Sequence, residues 1–259
     1  MIFNAQISRF AHAKSTQPLE TTLAEFLDPS PDQIQKILVF RQITDPEQRK
    51  EHKKSFPAAT ISGHFSKREV AGLIHYNGLI CMDFDEADNP GKTPEQMREI
   101  LSEFQEVAYA AKSVGGKGVY AIIPTNLTDP AMHPKICDFL RTIFLEAGLL
   151  ADPSCKDVCR LRFVSYDPDE FINQDPVQFD GVGYIHRLKE KERSAIKQTF
   201  DASPTDKTRY RVERYIEAIE GGCADVTDHY ANWLKIGFDL APELGREGES
   251  YYHRVRQYN

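Results

Sequence analysis

The run Leu79-Ile80-Cys81-Met82-Asp83-Phe84-Asp85 constrains this chain more than any other. Apolar residues at this density, within a longer segment Asn77–Asp85, predict a buried strand, and this one ends in acid. Strand side chains alternate faces, so Asp83 and Asp85 share one face while Phe84 takes the other. Two carboxylates that close repel each other unless positive charge lies between them. A divalent cation resolves the conflict, and hard oxygen ligands favour Mg²⁺ or Mn²⁺. Two such ions about 3.5–4 Å apart can clamp the attacking and leaving oxygens of phosphoryl transfer. The competing reading is a solvated strand end that runs into an acidic loop with Glu86 and Asp88.

Two later segments carry compatible chemistry. Lys112-Ser113-Val114-Gly115-Gly116-Lys117-Gly118-Val119-Tyr120 lies between two β-rich runs, Glu106–Ser113 and Gly118–Pro124, and predicts a hairpin. Its glycines would let backbone N–H groups approach a phosphate, with Ser113 and Lys117 adding a donor and a charge. It lacks the spacing of a P-loop, and an ordinary hairpin turn explains it equally well. Further on, Asp152 or Asp157 offers a third carboxylate. Arg160 and Arg162 alternate onto one strand face, where guanidinium forks suit phosphate oxygens or are simply solvated. Cys155 and Cys159 lack a second pair with zinc-site spacing.

Periodicity supplies the rest of the map. Strands are expected at Ile2–Ile7, Ala58–Phe65, Arg160–Tyr166 and Val182–His186. Helical patterns run in pieces from about 19 to 55, from Thr93 to Phe104, and from His133 to Ala147, closed by Gly148. Asp45-Pro46 is a helix start with Asp as cap. Residues 187–208 are charged and poor in large apolar side chains, which predicts a linker, helical at most in its first half. Beyond 209 the pattern is all-helical, with Thr227-Asp228 expected to cap a second helix. The expected organisation is therefore an α+β domain over 1–186, a linker over 187–208 and a small helical module over 209–259.

Composition excludes several classes. In 259 residues, 41% apolar and 27% charged is the balance of a folded globular chain. A net charge of −7 argues against a globally basic nucleic-acid coat, so a polyanion would need a local patch. The basic run Arg49, Lys50, His52, Lys53, Lys54 beside Arg41 is one candidate, although Asp45, Glu47 and Glu51 interleave. No apolar stretch is long enough for a membrane span, and the start has no secretory pattern. Five cysteines without a CxxC pair fit a reducing compartment, so a cytoplasmic location is expected.

In their order along the chain, these motifs resemble the catalytic core of the archaeo-eukaryotic primase superfamily, the primase-polymerase fold. FPAATISGHF, GLICMDFDEADN, SVGGKGVYAIIP and DVCRLRFVSYDPDEFIN resemble the VirE-like primase N-terminal domain of mobile-element replication proteins, over about residues 40–175. Asp228–Trp233, Gly237, Leu240-Ala241, Gly245–Gly248 and the end YYHRVRQYN resemble the helical module that follows many such domains, usually linked to a helicase.

The resemblance implies an RRM-like half carrying the acids, an N-terminal α/β half, and a site between them. It implies template-directed nucleotidyl transfer with two ions of Mg²⁺ or Mn²⁺, nucleoside triphosphates as substrates and single-stranded DNA as template. It also implies a longer primase-helicase of which this chain is a piece, or a helicase on a separate chain. Asp83, Asp85 and Asp152 would be the metal ligands, with Asp157 the stand-in for the third. Ser113, Gly116, Lys117 and Tyr120 would face the triphosphate, and Arg160 or Arg162 its outer phosphates. The family's second motif ends in His where this chain has Tyr120. That substitution supports the alternative of a catalytically degenerate module that grips single-stranded DNA or loads a helicase.

Overall fold

The computed structural model describes residues 2–201, 206–222, 239–240 and 244–256, which divide into two compact units, Met1–Gly183 and Tyr184–Asn259. The fold class is α+β. In the first unit, one antiparallel sheet has the order β2-β1-β3-β9, built from β1 (Gln6–Phe10), β2 (Leu19–Thr22), β3 (Ala58–Thr60) and β9 (Leu161–Phe163). A second antiparallel sheet has the order β10-β7-β8-β6, from β6 (Leu79–Asp85), β7 (Tyr109–Lys112), β8 (Gly118–Pro124) and β10 (Phe171–Ile172). A small hairpin pairs β4 (Gly63–Phe65) with β5 (Leu73–Tyr76).

Helices α1 (Leu23–Leu27), α2 (Pro31–Arg41) and α3 (Pro46–Lys54) belong to the N-terminal half. Their starts follow directly from sequence. Ser30 and Gln33 form a capping box around Pro31, and the Asp45 carboxylate accepts the Gln48 amide at 2.8 Å ahead of Pro46. Such caps satisfy orphan N–H groups and contribute about 1 kcal/mol each. Helices α4 (Pro94–Ser102) and α5 (His133–Glu146) alternate with the second sheet's strands, giving a β6-α4-β7-β8-α5 run. This is the beginning of a split βαβ arrangement. Among the described residues, no further strand pairs with the outer edge of β6. The chain there is a 3₁₀ turn, Pro153–Lys156, tied to β6 by the Asp152 N–H donating to the Asp83 carbonyl at 2.8 Å.

The core explains which way the acids face. Met82 and Phe84 point to the helices, where Phe84 meets Phe144 of α5 edge-on at 5.2 Å. The opposite face of the second sheet carries Tyr109, Ala111, Tyr120 and Ile122, clustered with Ile7, Phe40, Ala59 and Ile61 from the first sheet and its helices. Because antiparallel partners share a face, the register Asp83↔Tyr120 and Asp85↔Gly118 turns both acids toward the first sheet.

Several sequence expectations are corrected. Ile2–Asn4 is a 3₁₀ turn and the first strand starts at Gln6, so the expected strand was set too early. Ala58–Phe65 is two strands in different sheets, broken where the chain turns at Ile61-Ser62. Leu19–Thr22, within the stretch read as helical, is an edge strand. Val182–His186 is not a strand but lies in α6 (Gly181–Asp201), which also takes in residues 187–201 of the expected linker.

In the second unit, α7 (Asp206–Gly222) packs with α8 (Gly248–Arg256). Arg254 bonds Glu213 at 2.6 Å and Glu220 at 2.8 Å, and Arg209 pairs with Glu247 at 2.7 Å. Residues 223–238, with the expected cap Thr227-Asp228, Tyr230, Trp233 and Gly237, lie outside the described residues. Among the described residues, no helix is long and apolar enough to cross a membrane.

Candidate active site

Asp83 is 8% exposed and is held by two arginines from the neighbouring sheet edge. Arg162 of β9 contacts Asp83 Oδ1, and Arg160, one turn of the alternation earlier, donates from Nε and Nη2 to Asp83 Oδ2 at 3.3 and 3.1 Å. The same Arg160 Nη2 reaches Asp152 Oδ2 at 2.6 Å. One guanidinium nitrogen thus sits between two carboxylates from distant parts of the chain. Asp152 also accepts the Ser154 amide and hydroxyl at 2.8 and 2.7 Å. Partial burial opposes its ionisation, but these bonds and Arg160 outweigh it and hold the carboxyl below the ordinary range.

Asp85 is exposed at the strand end. Partial desolvation first, and the charge of Asp83 second, raise its carboxyl above the usual 3.8, with Asp152 adding to the effect and Lys53 opposing it. Three carboxylates therefore share one electrostatic neighbourhood, as the sequence predicts for Asp83, Asp85 and Asp152. Asp157 does not join them. It is exposed and accepts from the Cys159 amide and thiol at 3.0 and 3.1 Å.

The hairpin is brought to the same strand end. Gly118 stands opposite Asp85, so the turn at 113–117 lies just beyond the acids. A Cβ on Gly118 would come within 2.8 Å of the Phe84 carbonyl and 2.9 Å of Asp85 Oδ1, so only glycine allows this approach. Gly116 has φ +73° and packs on Arg41, whose side chain would lie 3.0 Å from an added Cβ. Ser113 and Gly116 use their amides inside the turn, bonding the carbonyls of Gly118 and Ser113 at 2.8 Å. Lys117 is exposed.

Tyr120, expected to face a nucleotide, is 1% exposed. Its ring lies beneath the Arg162 guanidinium at 4.6 Å, a cation–π contact, and beside Tyr109 at 5.6 Å. Burial pushes its phenol above the ordinary range. Tyr120 therefore supports Arg162 from below and reaches the site only through it. The residue that would have been a charged ligand contact is here part of the core, which corrects that expectation.

Three residues of the basic run that the sequence offers as a polyanion patch border the site, and the sequence reading did not single them out. Lys53 of α3 feels Arg162, Asp83, Asp85 and Arg160. Desolvation against the protein surface and the Arg162 charge lower its pKa, while the two acids oppose this. Arg49, one helical turn before it, donates to the Gly115 carbonyl and to Ile43 O at 3.0 Å. Arg41 donates to the carbonyls of Ser113 at 3.1 Å, Val114 at 3.3 Å and Tyr166 at 2.7 Å. The i, i+4 spacing of Arg49 and Lys53 places both on one helix face, and that spacing was a signal.

One group of side chains has donor atoms close enough together to hold a metal ion. Asp83, Asp152 and Cys155 have donor atoms within 4.8 Å of one another, the group of this kind found among the described residues. Cys155 is a poor ligand: burial pushes its thiol up to about 12, and its sulfur accepts the Asp83 N–H at 3.2 Å. The oxygens of Asp83 and Asp152 are the harder donors, of the kind Mg²⁺ or Mn²⁺ takes, and Asp85 is not part of this group. Arg160 Nη2 lies between Asp83 Oδ2 and Asp152 Oδ2, at 3.1 and 2.6 Å.

Residues 51–171 match the BT4734-like N-terminal domain family, a span that contains the three acids, the hairpin and both arginines. No curated protein and no solved structure gives a match.

Proposed function

We propose that the chain carries a metal-dependent nucleotidyltransferase of the primase-polymerase type, acting in the replication of a mobile element. The observation that carries this reading is the convergence of Asp83, Asp85 and Asp152 with Arg160, Arg162 and Lys53 beside the hairpin turn. Acids grouped with cations in this way suit a substrate that brings both a metal and a polyphosphate. The resemblance of the same motifs to the VirE-like primase domain supports the same chemistry.

In this reading Asp83, Asp85 and Asp152 would hold two ions of Mg²⁺ or Mn²⁺. Such ions supply Lewis-acid stabilisation of charge on the attacking and leaving oxygens. A primer 3′-hydroxyl displaces pyrophosphate at the α-phosphorus of a nucleoside triphosphate, on a single-stranded DNA template. Arg160 exchanges its carboxylates for the outer phosphates, because a planar fork binds either equally well. Arg162 stays on Asp83 and keeps that carboxylate oriented. Lys53 and Lys117 add charge along the polyphosphate, and Ser113 and Gly116 shape the turn that borders it.

The second reading is a single-stranded DNA-binding or helicase-loading module with a degenerate site. Tyr120 favours it, since a buried phenol under Arg162 offers the cleft no cation. Incorporation of labelled nucleotides on a single-stranded template, in Mn²⁺ and in Mg²⁺, decides between the two. Activity that is lost in Asp85→Asn and Asp152→Asn supports the enzyme. No incorporation with either metal, alongside retained oligonucleotide binding, supports the module. Both readings place the protein in a reducing cytoplasm, where the described cysteines would stay free thiols.

A further inference from the structure

The helical side of the second sheet, opposite the face that carries the acids, holds a cavity of about 220 Å³. Leu140, Ile143 and Phe144 line it from α5, at i, i+3 and i+4 on one helix face. Ile123 of β8 and Val107, just before β7, meet them from the sheet and are fully buried. Phe104 and Phe179 complete the apolar lining and, like Ile143, are half-buried, so the cavity opens to solvent.

Backbone bonds and ring contacts hold this frame. The Phe179 N–H donates to the Pro124 carbonyl at 2.8 Å, and the Val177 N–H to the Gln105 carbonyl at 2.9 Å. Phe144 packs edge-on against Phe84 at 5.2 Å and Phe104 at 5.1 Å. The space is therefore preformed, as ligand pockets usually are.

Close-packed interiors leave few voids larger than a water molecule. Water itself is a poor filler here, because an ordered water needs about two to four polar partners. An engineered apolar cavity of about 150 Å³ binds benzene, so the larger space here suits a two-ring aromatic body. Phe104, Phe144 and Phe179 offer it ring edges and faces. Glu106 narrows the chemistry further. It is the charged residue of the lining, is half-buried, and makes no ion pair among the described residues. A carboxylate beside an apolar pocket attracts an ammonium and rejects an anion.

We infer that this cavity binds a small aromatic amine, with its rings among Phe104, Ile143 and Phe144 and its ammonium on Glu106. The site lies on the other face of the sheet from Asp83 and Asp85, and it stands whether or not the first unit transfers nucleotides.

Isothermal titration of the whole chain near neutral pH with tryptamine, indole and indole-3-acetate tests this. Tryptamine should bind about tenfold or more tighter than indole-3-acetate, with indole between them. Glu106→Gln should bring tryptamine within about twofold of indole and leave indole unchanged. Ile143→Trp fills the space and should abolish binding of each compound while its cooperative thermal unfolding is kept. Should that variant fail to fold, methyl NMR of the parent locates the site: the Ile123, Leu140 and Ile143 signals should shift on adding indole. No saturable binding, equal affinity for tryptamine and indole-3-acetate, or shifts confined to other methyls overturns the inference. So does self-association of the parent in sedimentation that Ile143→Trp abolishes, because a side chain of a second copy then fills the cavity.

Discussion

Asp152 donates its backbone N–H to the carbonyl of Asp83 at 2.8 Å, and a single nitrogen of Arg160 joins their carboxylates. The 3₁₀ turn after α5 thus lies against the outer edge of β6, where a fifth strand of that sheet would pair. The third acid reaches the first through backbone geometry, and the side chains complete the contact.

Asp83 holds the fold as well as the site. Removing one partner of a buried ion pair leaves the other charge uncompensated, at a cost of about 3–5 kcal/mol. Asp83→Asn is expected to lower the urea midpoint accordingly, whereas Asp85→Asn, exposed at the strand end, should stay within about 0.5 kcal/mol. Asp83→Leu combined with Arg162→Met should recover most of the loss. Equal stability of the two Asn variants would contradict the pairing.

Arg41 shapes the hairpin. It holds the carbonyls of Ser113 and Val114 and that of Tyr166 at once. Hydrogen bonds to a charged group contribute about 1.5–3 kcal/mol. Arg41→Ala should speed amide exchange at residues 113–118 about tenfold or more, by hydrogen-exchange mass spectrometry. Arg41→Lys should not restore protection, because an ammonium lacks the planar fork. Unchanged exchange in Arg41→Ala would remove Arg41 from this role.

The ionisation of Asp85 sets a pH limit. Its folded pKa is raised, so the carboxylate that the proposed enzyme would use for a metal forms only above a pH higher than the ordinary 3.8. Mn²⁺ affinity should fall as pH drops through that midpoint, and Asp85→Asn should abolish this step. Lys53→Met removes a charge that favours the carboxylate, so it should shift the midpoint upward. Isothermal titration across pH 4–7 would read both effects, and a midpoint indifferent to both variants would exclude Asp85 from the metal site.

His133 makes stability depend on pH. It is 1% exposed, accepts or shares a hydrogen bond with the Tyr76 hydroxyl at 3.0 Å and bonds the backbone of Cys155. Burial lowers its pKa from 6.5 to about 4. Between these values the unfolded chain binds a proton that the folded chain refuses, so stability rises with pH across the window and is lost as pH falls. The difference is roughly 3 kcal/mol. His133→Gln should flatten the stability profile between pH 4 and 6.5 relative to the parent, as followed by urea unfolding. A parallel profile in the variant would show that other groups carry the dependence.

Much of the site could be read in the chain itself. Alternation put Asp83 and Asp85 on one face because the pleat has a period of two. The same rule paired Arg160 with Arg162, and glycines around Ser113 marked a hairpin. Asp45-Pro46, Ser30-Pro31 and Thr93-Pro94 set their helix starts, because capping acts within a few residues. These features depend on local backbone geometry.

What the chain left open involved contacts at long range. Asp152 and Asp157 have similar local settings, and only packing of the 3₁₀ turn against β6 brought Asp152 to Asp83 and left Asp157 in solvent. Lys53, Arg41 and Arg49 looked like one basic run until α2 and α3 packed beside the hairpin. Tyr120 looked like a ligand contact until the second sheet closed on the first and buried it under Arg162. Local pattern determines which face a side chain takes, but the opposing surface depends on how two sheets meet. That is settled by burial of a shared core, which no short stretch of sequence encodes.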